Sequence, residues 1–252
     1  MPIQYSRKLT GKRRSQNANR HLGFVLAFVA GAINAGGFLA VQQYTSHMTG
    51  IVSSMADNLA LGLYAPVLAG LGVLLSFLAG AVCSTVMVNY SRRRQMHGEY
   101  ALPLLLEAFL LLCFGLLGAK LSHIHGLFVS VTVMLLGFIM GLQNAVITKI
   151  SKSEIRTTHI TGVVTDIGIE LGKLVYWNAH QFDGVMPVRA NRDRLKVLSL
   201  LALSFFAGGV LGAFGFKHVG YVATIPLALL LVLLALVPAI DDMVVYSRRM
   251  RR

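Results

Sequence analysis

"TSHMTG" occupies residues 45–50 and "TTHITG" residues 157–162. Thr45, His47, Thr49 and Gly50 match Thr157, His159, Thr161 and Gly162. Each sextet is preceded by a similar stretch, "GAINA" at 31–35 and "GLQNA" at 141–145, which sets Asn34 against Asn144. Downstream, "SFLAGAV" at 76–82 corresponds to "SFFAGGV" at 204–210. Three matches in the same order point to an internal duplication, with extra residues before the second sextet and around 179–195.

The duplicated unit is apolar. The chain has 252 residues, of which 55% are hydrophobic and only 13% charged. Soluble domains carry about a quarter charged residues, so most of this surface faces lipid. Runs of about 20 apolar residues are candidate spans. Six stand at roughly 22–42, 67–89, 101–119, 126–148, 197–216 and 220–240. The chain therefore reads as an all-α polytopic membrane protein. It has a basic N-terminal tail (1–20), a first three-span repeat (21–119), a second (126–240) and a basic C-terminal tail (241–252).

The net charge of +13 is distributed by span parity. Arg7 to Arg20 precede the first span, and Arg92, Arg93 and Arg94 follow the second. Lys149, Lys152 and Arg156 follow the fourth, Arg189 to Lys196 precede the fifth, and Arg248 to Arg252 end the chain. Beyond Lys173, in the short segment after the second sextet, only Lys120 and Lys217 remain, for the outer loops. The positive-inside rule then puts both termini in the cytoplasm. It makes anionic lipid headgroups, and not nucleic acid, the expected partner of the tails. Cys83 and Cys113 fall inside spans and give no disulfide framework.

Three spans per half is an odd number, so the second half enters the membrane from the opposite side. The pattern predicts a 3+3 inverted repeat, as in many secondary transporters. Residues 51–62 and 163–178 are too short and too acidic to cross, and a full crossing of the second would carry Arg189 to Lys196 outside. They are expected as short broken or re-entrant helices, each following a non-helical Thr-Gly break capped by the threonine hydroxyls. Thr45, Ser46, His47, Thr49 and Gly50 would face Thr157, Thr158, His159, Thr161 and Gly162 across one central cavity. Asn34 and Asn144 would add amides, and free helix N–H groups a positive end.

The motifs "GAINAGGF", "TSHMTG", "MGLQNA" and "RTTHITG" resemble the YoaK family of bacterial membrane proteins, described as small-molecule transporters. The resemblance runs over about residues 20–240 and implies a multi-pass protein of the bacterial inner membrane. It implies no reaction.

Glu107, in "LPLLLEAFLLL", is an ionisable group deep in the third span, where the default reading is functional. It is the expected coupling residue, for a proton or another ion, with Asp57, Asp166 and Glu170 as further candidates. His47 and His159 alone do not complete a metal site, so no metal or cofactor is expected. The expected function is a secondary transporter or facilitator of a small solute, with alternating access around the two sextets. A passive channel is the alternative and a membrane enzyme acting on a lipid or quinone the third choice, although no GxSxG or HExxH motif supports an enzyme. A homo-oligomer is compatible with either.

Overall fold

The computed structural model describes residues 16–96, 98–121, 125–150, 159–177 and 186–250. All regular structure there is helical. Long helices α1 (Gln16–Val41), α3 (Tyr64–Arg93), α4 (Ala101–Leu121), α5 (His125–Ile150), α7 (Arg192–Val219) and α8 (Thr224–Met250) alternate with two short ones, α2 (Met48–Ala60) and α6 (Ile160–Val175). A 3₁₀ turn, Gly220–Ala223, joins α7 to α8, entered through Gly220 at φ 68°.

Five stretches among the described residues are long and apolar enough to cross a membrane. The last, Arg192–Ile240, has 49 residues and includes α7, the 3₁₀ turn and most of α8. A straight helix of that length would be roughly 74 Å, more than twice the ~30 Å hydrocarbon core. By contrast α2 and α6, with 13 and 16 residues, reach only about 20 and 24 Å and cannot cross alone.

Helix directions follow from the contacts. Asn19, at the start of α1, donates to the Ile150 carbonyl at the end of α5 (3.3 Å), and Gln143 donates to the Leu26 carbonyl (3.1 Å). So α1 and α5 run antiparallel. Lys149 reaches the Thr85 carbonyl and Asn89, while Gly141 meets Phe77 one or two turns earlier, so α3 and α5 run parallel. Gly36 against Phe216 and Gly31 against Phe205 make α1 and α7 parallel. The Gly98 N–H donates to Asp242 at one end and Gly118 abuts Tyr221 at the other, so α4 and α8 run antiparallel. One end of the bundle thus gathers Arg92, Lys149 and Arg194. The other gathers the Val41–Val73–Val133 cluster.

Glycine allows the closest helix approaches, and these come in corresponding pairs. A Cβ at Gly31 would collide with the Phe205 carbonyl, and one at Gly141 with the Phe77 carbonyl. A Cβ at Gly208 would strike the Phe28 carbonyl, and one at Gly80 the Phe138 carbonyl. These glycines belong to the two Asn-Ala stretches and the two SFxAG stretches. Membrane helices associate by this kind of backbone contact, because lipid supplies no hydrophobic drive between them.

The outward faces are apolar. Leu68, Leu71, Leu75, Leu78, Val82 and Val86 line one side of α3 at helical spacing, and Leu203, Phe206, Val210 and Phe214 one side of α7. In water such stripes would be costly, whereas in lipid they are the solvated surface.

Candidate functional site

α1 ends at Val41, and Gln42 leaves it in the left-handed region at φ 56°. Tyr44 folds back to stack on Phe38, ring centroids 4.7 Å apart. The Ser46 hydroxyl donates to Asn34 Oδ1 at 2.9 Å, tying the first sextet to α1. Thr45 is buried beside Gly37, and its hydroxyl has no hydrogen-bond partner among the described residues.

The expected Thr-Gly break is not where the helix starts. The Ile51 N–H donates to the His47 carbonyl at 3.1 Å, and the Val163 N–H to the His159 carbonyl at 3.1 Å. Those bonds commit Thr49-Gly50 and Thr161-Gly162 to the first helical turn. His47 and His159 are the N-cap residues, with similar backbones (φ −92°, ψ 70° and φ −88°, ψ 56°), and neither makes a side-chain cap bond. Threonine capping is therefore overturned. The glycines have a different purpose. Each imidazole lies over its own first turn, so a Cβ at Gly50 would meet the His47 ring and one at Gly162 the His159 ring. His and Gly three residues apart form one packing unit.

The two sextets do not share a cavity. Each follows the end of α1 or α5, and these helices are antiparallel. The first sextet therefore lies at the valine-lined end and His159, Thr161 and Gly162 at the basic end. The separation is about the length of α1, roughly 39 Å. Thr157 and Thr158 lie outside the described residues. His47 and His159 consequently cannot ligate one ion. Among the described residues no group of three or more His, Cys, Asp or Glu is placed to hold a metal. Asn144 donates to the Met140 carbonyl of its own helix.

The first sextet borders a cleft of about 370 Å³. Gln42, Gln43, Tyr44, His47, Gly50, Ile51, Ser54 and Met55 line one side, Pro66, Ala69, Gly70 and Val73 of α3 the second, and Ser130, Val133 and Met134 of α5 the third. α2 itself buries no residue and packs on α3, with Met55 filling the space above Gly70. A left-handed Gly62 (φ 72°) turns the chain between them, and the Leu63 N–H caps the Asn58 carbonyl at 2.8 Å. Asp57 is exposed on α2 and outside the cleft lining. Gln42, Gln43, Tyr44 and Ser130 escape sequence reasoning because they belong to no repeated motif. The only available signal is the polar Gln-Gln-Tyr that ends the first apolar run.

At the basic end, α6 is held to α7 by charge. The Glu170 side chain is only 2% exposed. It accepts from the Asn191 N–H (2.8 Å) and pairs with Lys173 (2.9 Å), with Arg194 at 3.9 Å. Arg194 also pairs with Asp166 at 3.0 Å, and Asn191 caps α7 by accepting from the Arg194 N–H. The Asn191 N–H first, then Lys173, hold the Glu170 carboxyl below the ordinary glutamate value. Asp166 and Glu170 are thus occupied in a clamp between two helices.

Glu107 stands apart. It is 0% exposed within α4, on the face that carries Leu104, Ala108, Leu111 and Phe114, and neither carboxyl oxygen has a hydrogen-bond partner among the described residues. Burying such a group unpartnered costs free energy that packing alone does not return.

No curated protein and no solved structure matches the chain. The profile of the family described as "Protein of unknown function (DUF1275)" matches residues 22–237, which cover α2 to α7 whole, most of α1 and the first half of α8. This membrane-type helical chain, with a His-capped short helix at each end of its bundle, belongs to the DUF1275 family.

Proposed function

We propose that the protein is a carrier of a small solute in the bacterial inner membrane. In this reading six helices cross, the 49-residue stretch crossing twice, as a 3+3 inverted repeat with both termini cytoplasmic. The YoaK-like motifs accord with that reading, and so does the gathering of basic residues at one end.

The observation that carries it is the correspondence of contacts between the halves. α1 meets α7 through Gly31–Phe205 and Gly208–Phe28, as α5 meets α3 through Gly141–Phe77 and Gly80–Phe138. A pseudo-two-fold axis in the membrane plane accounts for all four. Such halves exchange conformations in alternating access. The two ends differ as that mechanism requires. Ile51 lines the open cleft, while its counterpart Val163 is buried at 5% exposure beneath the clamped end. The cleft is then the external vestibule and the Asp166–Arg194–Glu170 clamp the closed internal gate. Glu107 is the coupling group between them.

The test needs no known substrate. A Met55→Cys/Gly70→Cys disulfide should pin α2 to α3 and stop the cleft from rearranging. In a carrier, pinning one end changes labelling of Val163→Cys at the other, by about tenfold for a ~1.4 kcal/mol bias between conformers. Unchanged labelling would favour a channel or a static scaffold.

A further inference from the structure

The cleft chemistry narrows what the proposed carrier takes. We infer that it binds an uncharged, amphipathic small molecule, with hydrogen-bonding groups along one edge and an apolar body. The inference rests on the carrier reading only in treating this cleft as the site facing the solute.

The walls divide by chemistry. Gln42, Gln43, Tyr44, Ser54 and Ser130 offer amides and hydroxyls, and Val73, Val133, Met134 and Met55 offer apolar and polarisable surface. Among the described residues no Asp, Glu, Lys or Arg lines it, and the one imidazole there, His47, lies against Gly50 of its own short helix. An ion moving from water into such a site would lose hydration with no carboxylate, ammonium or guanidinium to replace it. A neutral molecule loses far less, and the amide and hydroxyl wall compensates it bond for bond. The volume of about 370 Å³ falls within the ~300–1,000 Å³ typical of small-molecule sites. Met55 and Met134 are flexible side chains that adapt to more than one apolar shape.

The other end supplies an internal contrast. Aligning the sextets sets Ser54 against Asp166 and Asn58 against Glu170. Where the same short helix meets charge, it pairs that charge with Arg194. Where it borders the cleft, those positions are uncharged and α3 presents Pro66, Ala69 and Gly70.

The experiment uses full-length protein in lipid nanodiscs and two shape-matched probe trios. The first is indole, indole-3-acetate and tryptamine, and the second is benzyl alcohol, benzoate and benzylamine. Binding is read from ligand-dependent thermal stabilisation. Ser54→Trp fills the cleft from an exposed helix position, and Val52→Trp places the same bulk on α2 outside the lining. The expected result is stabilisation by at least one neutral member in wild type and Val52→Trp, lost in Ser54→Trp, with its acid and amine binding at least about tenfold more weakly. An acid or amine that binds more tightly than its neutral partner in the same Ser54-dependent way overturns the inference. So does the lack of any Ser54-sensitive binding across both trios. The Val163 labelling assay is independent. Its failure with neutral binding intact removes the carrier but leaves the binding site, and the reverse outcome removes only the ligand class.

Discussion

α2 and α6 each start on a histidine, set its imidazole against a glycine three residues on, and lie along the next long helix. They differ in how they are held. α6 is fastened through Asp166 and Glu170 to Arg194 and the Asn191 N–H. α2 has Ser54 and Asn58 at the corresponding positions, and Asn58 bonds back to Ser54 within its own helix. A shared backbone plan therefore carries two strengths of attachment, and the looser short helix is the one that forms a wall of the cleft. On the proposed duplication, such differences between the two halves mark where their roles diverge.

The largest expected effects concern what the halves share. Gly80→Leu and Gly208→Leu each drive a side chain into a facing carbonyl and should cost about 3 kcal/mol or more, with matching losses of folded protein. Gly168→Leu on α6 has open space around it and should stay within about 0.5 kcal/mol. Unequal losses at Gly80 and Gly208, read from yield and melting temperature, would break the correspondence of the halves.

Glu107→Gln keeps the shape of a group that the second half lacks, since Glu107 stands four residues after Pro103 and Leu230 four after Pro226. It should leave melting nearly unchanged and flatten the pH dependence of Val163→Cys labelling. A wild-type pH profile would reduce Glu107 to a structural carboxyl.

The clamp makes a smaller, pH-dependent contribution. The folded-state value of Glu170 is lowered, so its stabilisation is present above the ordinary carboxylate value near 4.5 and is lost as pH falls through the depressed one. Wild type should melt above Glu170→Gln at neutral pH, and the two should converge as acid is added below that value. A gap that widens in acid would have the wrong sign. The Arg194–Asp166 pair is exposed on both sides and should contribute no more than about 1 kcal/mol. Asn58→Ala, the α2 counterpart, should change stability by about 0.5 kcal/mol or less.

Much of the bundle is legible in the chain because lipid imposes long apolar runs, and because the SFxAG and Asn-Ala stretches carry the glycines that backbone contact demands. The expected shared cavity fails for a geometric reason. An in-plane two-fold brings equivalent residues together only near the membrane middle. In the proposed inverted repeat, a sextet that follows a complete 26-residue helix has travelled away from that axis, and its counterpart equally far the other way. The pairing of His47 with Gly50 was also hidden, since it depends on the helix starting at Met48 and not after the glycine. The wall supplied by Ser130 needs α5 beside α3, a tertiary fact that no local pattern encodes.

The central claim is that the two short helices lie at opposite faces of one membrane, and two-sided cysteine labelling tests it most directly. With Cys83 and Cys113 replaced by alanine, single cysteines go at Leu61, the 73% exposed tip after α2, and at Met186, 90% exposed ahead of α7. An impermeant maleimide should label Leu61→Cys only from outside the cell and Met186→Cys only from the cytoplasmic face of inverted vesicles. Labelling of both positions from the same side would contradict the account.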